Sequence, residues 1–279
     1  MTSAKYLLPL SGDALLQRFQ ALDAFLVAHQ ALWKPRPFTH RILPWESQHP
    51  ELAAWLRSRT LEQAEASHNQ PTALHEAPAP FPELALQAEH LSQVGDLPHK
   101  PSADLPPRFS VDVPGRKWQQ IHAFGDSLSF AQPAQHWLDW CAGKGHLGRV
   151  LAHGGQQLTC LEYDPALVAS GAALSQRLGI KAQHIEQDVL AEGAAAQLHA
   201  EHSPVALHAC GDLHVRLMQL ASAAGCRQLA IAPCCYNRVA AADYQPLSTA
   251  AYGSPLRLSL DDLALPMSET VTAGNRVRQ

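Results

Sequence analysis

The sequence has no apolar run near the roughly 20 residues that a membrane-spanning helix requires, and its start lacks the charged, apolar and small-residue succession of a signal peptide. A cytoplasmic protein with no membrane partner is the expectation. Charge is scarce as well: only 16% of residues are charged and the net charge is -4. That excludes whole-surface attraction to nucleic acid and leaves any RNA partner to a local basic patch. None of the six cysteines forms a Cys-x-x-Cys pair, and four lie inside apolar runs that read as buried strands. Reduced thiols follow. There is no internal repeat and no long low-complexity tract.

What is present suffices for a core. Hydrophobic residues make up 46% of the 279, which rules out wholesale disorder, and the length suits one large domain or two modest ones. Residues 1–66 read as a helical N-terminal region. Ser11 is placed to cap a helix carrying Leu15, Leu16, Phe19, Leu22 and Leu26, and Pro50 to open a second carrying Leu52, Trp55, Leu56 and Leu61. Between them, residues 34–41 are basic with one aromatic, read as a solvated loop. Residues 67–114 hold nine of the 21 prolines and read as a linker with one short helix near 83–94.

From residue 115 to 279 short apolar runs alternate with helical stretches, the pattern of a parallel sheet with crossover helices. The expected strands are one ending at Trp137-Leu138-Asp139, then 158–162, 182–186, 205–209 and 228–232. A helix carrying Leu213, Leu217 and Leu220 ends where Gly225 suits a left-handed cap.

The strongest chemical signal is Asp139-Trp-Cys-Ala-Gly-Lys-Gly145, an acid at a strand end followed by a glycine turn opening a helix, where backbone can approach a ligand and offer free N–H groups. Gly143-Lys-Gly145-His-Leu-Gly148 also satisfies G-x-G-x-x-G, so a dinucleotide is a competing ligand. A carboxylate at Asp139 would repel a pyrophosphate and suit a cationic ligand. Glu162 follows 23 residues later, where an acid reaches a ribose diol in either reading. Asp188 is placed either to accept from an adenine amino group or to cap a turn.

In a doubly wound sheet the ligand edge would collect Asp139, Cys141, His208, Cys210, Asp212, Cys234, Cys235 and Tyr236. Small buried hydrophobes are the plain reading of Cys141 and Cys210. No metal is expected: a zinc set of Cys210, Cys234, Cys235 and His208 lacks the usual gap of about two to four residues between neighbouring ligands. Asp212 reads as a helix cap or a substrate-orienting carboxylate, and His208 as a satisfied strand residue or a general base. Arg116, Lys117 and Trp118 either line the substrate mouth or form a packed aromatic beside solvated charges.

Asp139, Gly143 and Gly145 resemble the first motif of class I S-adenosylmethionine methyltransferases, with Cys141 in place of its first glycine. His208-Ala-Cys-Gly-Asp-Leu213 and Ala232-Pro-Cys-Cys-Tyr236 are similar to the branch of methyltransferase-like protein twenty-five and, with Tyr236 where a histidine stands, to the eukaryotic tRNA 2′-O-methyltransferases.

The resemblance, over about 115–240, implies a Rossmann-like α/β sheet and S-adenosylmethionine held by Asp139, Cys141, Gly143, Gly145, Glu162 and Asp188. The acceptor, RNA or protein, would meet Asp212, His208 and Tyr236, with Cys210, Pro233, Cys234, Cys235, Lys117 and Trp118 lining its pocket. A nicotinamide-dependent oxidoreductase and a non-catalytic RNA-binding or adaptor module are the alternatives. The family's sheet ordinarily closes with an antiparallel pair after the fifth strand. Residues 237–279 carry no such hairpin pattern, since 256–265 suffice for one strand or a short helix and 268–278 are polar then basic. The sheet is therefore expected to lack its final strands and to self-associate through the open edge.

Overall fold

The computed structural model describes residues 7–36, 39–68, 70–100 and 105–266. Contacts group them into two units, one of 7–96 with 245–257 and one of 97–244 with 258–266. The polar and basic stretch at 268–278, four residues of the proline-rich segment (101–104) and residues 37 and 38 of the basic segment lie outside the described residues.

The first unit is helical. Helix α1 spans Gly12–Ala28; Ser11 occupies the cap position in extended backbone, but its side chain makes no cap bond. Leu15 and Leu16 are exposed, so the expected stripe is not buried along its first turn. Helix α2, Pro50–Ser58, buries Leu52 and Ala53 and starts on the expected proline. It does not reach Leu61. Thr60 instead caps a separate helix α3, Leu61–Ala66: its hydroxyl accepts from the Gln63 N–H (3.2 Å) while Gln63 Oε1 accepts from the Thr60 N–H (2.9 Å). This reciprocal capping box starts a new helix and leaves Leu61 exposed at its first position. Helix α4, Phe81–Ser92, buries Ala85 and Leu91 within the proline-rich stretch. In the basic segment, Lys34 donates to the Arg257 carbonyl (2.7 Å) in the same unit.

The second unit is the expected α/β sheet. It begins with α5, Gly115–Asp126, followed by β1 His136–Trp140, α6 His146–Leu151, β2 Gln157–Glu162, α7 Pro165–Leu178, β3 Ala182–Glu186, β4 His202–Leu207, α8 Asp212–Ala223 and β5 Ala230–Ala232. All four strand pairings are parallel, in the order β3-β2-β1-β4-β5. Parallel strands covered on both faces must be apolar on both. Leu138, Trp140, Leu161, Ala206 and Leu217 accordingly pack on one side, and Trp137, Leu158, Cys160, Val205 and Ile121 on the other.

Strand β4 starts earlier than 205, because His202-Ser203-Pro204 already pair with His136-Trp137-Leu138, and it ends at Leu207 because His208 turns left-handed (φ 65°). Gly225 has the left-handed backbone expected of it (φ 77°), two residues beyond the last helical position. After β5 no closing antiparallel pair forms among the described residues. Asp243 and Ser259 make one antiparallel bridge, the Tyr244 N–H bonds the Leu258 carbonyl (2.8 Å), and residues 260–266 are helical. The order reverses between β1 and β4, so the loops after these two strands flank the switch point where such sheets bind ligands.

Candidate active site

The turn after β1 uses three left-handed residues, Cys141 (φ 55°), Gly143 (φ 58°) and Gly145 (φ 70°). Cys141 therefore takes, despite its side chain, the backbone conformation that glycine adopts without strain. The two glycines differ in why they are needed. A Cβ on Gly145 would come within 2.9 Å of Cys160 Sγ and of the His184 ring, whereas one on Gly143 would meet nothing within 4 Å. Gly145 is a packing glycine; Gly143 presents backbone to open space. Gly148 is also a packing residue, with a Cβ there 2.5 Å from Leu158 and 3.0 Å from the Asp139 carboxylate.

Asp139 is buried, and its Oδ2 accepts from the Gly148 N–H (2.9 Å), tying the first turn of α6 to β1. Burial pushes its carboxyl up to about 6, while the Gly148 N–H and the charges of Arg149 and Lys117 hold it down. Glu162, half-buried at the end of β2, accepts from the Gly143 N–H (2.7 Å) with one oxygen and the Asp164 N–H (3.0 Å) with the other. It clamps the glycine turn to the loop that opens α7. Asp188 is exposed and accepts from the Leu190 N–H (2.9 Å), the turn-forming bond of its plainer reading. The Cys141 thiol is pushed up to about 12 by burial and then by the negative fields of Glu162, Asp139 and Asp188, so it stays protonated and is no nucleophile.

The loops after β4 and β5 are locked together. The Gly211 N–H bonds the Cys235 carbonyl (2.9 Å), the Asp212 N–H bonds the Arg238 carbonyl (3.1 Å), and Asp212 Oδ2 accepts from the Ala240 N–H (2.7 Å). Only glycine fits at 211: its φ is 58° and a Cβ would fall 1.7 Å from the Arg238 carbonyl oxygen. This lock brings Cys210 Sγ to 3.0 Å from Cys234 Sγ, which in turn is 3.4 Å from Cys235 Sγ. His208 is exposed, with Nε2 3.0 Å from Gln120 Oε1 of α5. Tyr236 is 48% exposed and meets His214 edge-on at 6.1 Å.

A cavity of about 500 Å³ lies along the β5 edge, lined in part by Gln120, Phe124, Leu207, His208, Pro233 and Cys234. Lys117 is exposed, while Trp118 is half-buried, edge-on to His122 (4.4 Å) and packed with the Ile121 core.

Two residues that pattern reading passed over shape the site. Buried Arg149 donates to the Lys144 carbonyl in the turn and to His146 Nδ1 (2.9 Å), bracing the turn from beneath. Gln120 fixes the His208 ring. An arginine within the apolar run His146-Leu-Gly-Arg-Val-Leu151 was the available sign for the first; a glutamine 88 positions from its partner gave none for the second.

Residues 116–242 match the family model described as a methyltransferase domain. No curated protein sequence matches the chain. Among solved structures, it is similar to a geranyl diphosphate methyltransferase in complex with GPP and sinefungin, at 14% identity and TM-score 0.35, over 51% of this chain and 56% of that one. It is also similar to YjhP from E. coli, at 18% identity and TM-score 0.36, over 62% and 71%. A third is coclaurine N-methyltransferase bound to N-methylheliamine and SAH, at 12% identity and TM-score 0.28, over 68% and 54%. The chain spans little more than half the length of the first and third of these.

Proposed function

We propose that this domain takes its methyl group from S-adenosylmethionine and delivers it to an RNA or protein acceptor. The observation that carries the reading is the charge around the glycine turn: the carboxylates of Asp139, Glu162 and Asp188 all bear on Cys141, beside the open backbone of Gly143. A concentration of negative charge suits a cationic ligand and opposes the pyrophosphate that a nicotinamide cofactor would bring. The residues fit S-adenosylmethionine. Glu162 keeps acceptor capacity for a ribose diol beyond its two backbone bonds, Asp188 is exposed beside it for an adenine amino group, and Gly143 and Gly145 allow close approach. The bound group would supply the methyl on a sulfonium; Asp212, His208 and Tyr236 would orient the acceptor, with Cys210, Pro233, Cys234, Cys235, Lys117 and Trp118 around it. Because the reaction is an in-line displacement, alignment and exclusion of water carry most of the rate.

A macromolecular acceptor is favoured because His208, Cys234 and Tyr236 are all exposed, whereas small-molecule sites enclose roughly 70 to 90% of their ligand. Calorimetry with S-adenosylmethionine, its demethylated product and NAD tests the cofactor: binding of NAD alone would overturn the reading. Labelled methyl transfer to total RNA and total protein then separates the acceptors, and Asp212→Asn and Tyr236→Phe should lower turnover more than cofactor affinity.

A further inference from the structure

Cys210, Cys234 and Cys235 place their three sulfur atoms within 4.8 Å of one another, a grouping that includes no histidine or carboxylate among the described residues. Chain adjacency of Cys234 and Cys235 argues against the usual finger spacing, but the third ligand comes from another strand end, 24 residues away. The closeness is built in. The Gly211 N–H to Cys235 carbonyl bond, the two Asp212 bonds to residues 238 and 240, and a glycine whose Cβ would strike Arg238 together hold the two loops in one register. We propose that Cys210, Cys234 and Cys235 form a three-thiolate site for one zinc ion, with a fourth coordination position open to solvent.

Three features of the cluster select that ligand. Its donors are all sulfur, the set that favours zinc and other thiophilic ions over magnesium or calcium. Three protein ligands with an open fourth position is the arrangement of reactive zinc sites, whereas structural sites are closed by four. Access is available, since Cys234 is exposed and Cys210 and Cys235 are partly so. A disulfide would engage only two of the three sulfurs and require an oxidant; a cation accounts for all three. On binding, each thiol gives its proton to solvent as its thiolate joins the metal, so zinc and three thiols yield a bound anion and three protons. The site lies beside the glycine turn, because Cys210 follows β4, the turn follows β1, and these two strands are paired.

The test uses the full chain, reduced and chelator-stripped under anaerobic conditions, titrated first with Co²⁺ and then with Zn²⁺. One equivalent of cobalt should give thiolate-to-metal charge transfer and the visible bands of a tetrahedral ion, and zinc should abolish both. Cys210→Ser, Cys234→Ser and Cys235→Ser should each weaken binding by more than about 100-fold, above the roughly 10- to 100-fold of a change outside the coordination sphere. Cys226→Ser, whose thiol bonds the His199 carbonyl, should bind like the parent. Circular dichroism checks that each variant folds. As a readout independent of any variant, zinc should lower the number of reagent-accessible thiols in the parent protein. An unchanged thiol count, a folded Cys210→Ser that binds cobalt with parental affinity, or octahedral cobalt spectra would each overturn the site.

Discussion

Replacing Glu162 with alanine should damage the protein before any ligand is added. Its carboxylate receives two backbone N–H groups, Gly143 at 2.7 Å and Asp164 at 3.0 Å. Hydrogen bonds to a charged group contribute about 1.5 to 3 kcal/mol each. Water can replace the carboxylate at exposed Asp164 and less readily at the half-buried turn, so the net loss is set mainly by Gly143, at about 2 to 3 kcal/mol. For a unit of this size each kcal/mol moves the melting temperature by roughly 2 to 4 °C, giving a fall of about 5 to 10 °C in the ligand-free protein. Glu162→Gln keeps one acceptor oxygen and should lose about half as much. Thermal melting with and without S-adenosylmethionine separates the two roles of the residue. A ligand-free alanine variant melting within about 2 °C of the parent would refute the clamp. A stabilisation by S-adenosylmethionine equal in both proteins would refute the ribose contact, since a ligand stabilises only through its affinity for the native state.

Acid should weaken the fold through two buried histidines. His146 Nδ1 accepts from Arg149 (2.9 Å) and His202 Nδ1 from the His199 N–H (3.1 Å), and burial, with nearby positive charge, lowers both to about 4 from 6.5. Depressed histidines contribute stability that is fully present above 6.5 and lost as the pH falls toward 4. At about 1.4 kcal/mol per unit the pair loses about 4 kcal/mol by pH 5. Asp139, raised to about 6 from 3.8, has the opposite sign and returns about 1 kcal/mol over that interval. Urea midpoints that do not fall between pH 7.5 and 5 would contradict these assignments. Gly211→Ala should disrupt the paired loops without touching the glycine turn, so methyl transfer should be lost while S-adenosylmethionine affinity, measured by calorimetry, stays within about threefold; parental activity in that variant would show the lock to be dispensable.

The first two strands could be read from the sequence because each is a short, mostly apolar run with an acid at or next to its end, Asp139 one residue before the end of β1 and Glu162 at the end of β2; β3, alternating and more polar, was a weaker signal that nevertheless pairs with β2. The glycine turn was equally visible, since its conformation is written in residue type. Strand β4 was expected over 205–209, but its bounds, His202–Leu207, were not legible, for two local reasons. Pro204 sits inside the strand and argues against it, and the turn that ends the strand is made by His208, whose left-handed backbone leaves no mark in the sequence. The T-x-x-Q signal at Thr60 was present, but the apolar spacing through Leu61 competed with it, and the capping bonds won. The thiol cluster was visible only in part: a doubly wound sheet puts Cys210, Cys234 and Cys235 at one edge, but the adjacent-cysteine spacing argued against a metal there. Composition shows six cysteines and spacing shows one adjacent pair, yet the approach of Cys210 depends on two strand ends meeting across Gly211.

Non-glycine residues with positive φ are costly and persist where the surrounding structure over-determines them, often at functional sites. Among the described residues there are three, Asp112, Cys141 and His208, and two of these follow β1 and β4 on either side of the switch point. Each is held by bonds that a simple turn would not need. Glu162 and Arg149 brace the turn that starts at Cys141, and the Ala232 carbonyl and Gln120 hold His208 by its backbone and its ring. Strain on one side of the sheet reversal would be an accident of loop closure. Its presence on both sides, next to an open glycine and three gathered sulfurs, makes the switch point the place where the surrounding structure over-determines the backbone. The same logic explains why Cys141, rather than the expected glycine, can occupy the first position of the turn: the bonds of Glu162 to Gly143 and of Arg149 to Lys144 hold the rest of the turn and supply the conformational preference that its own backbone lacks.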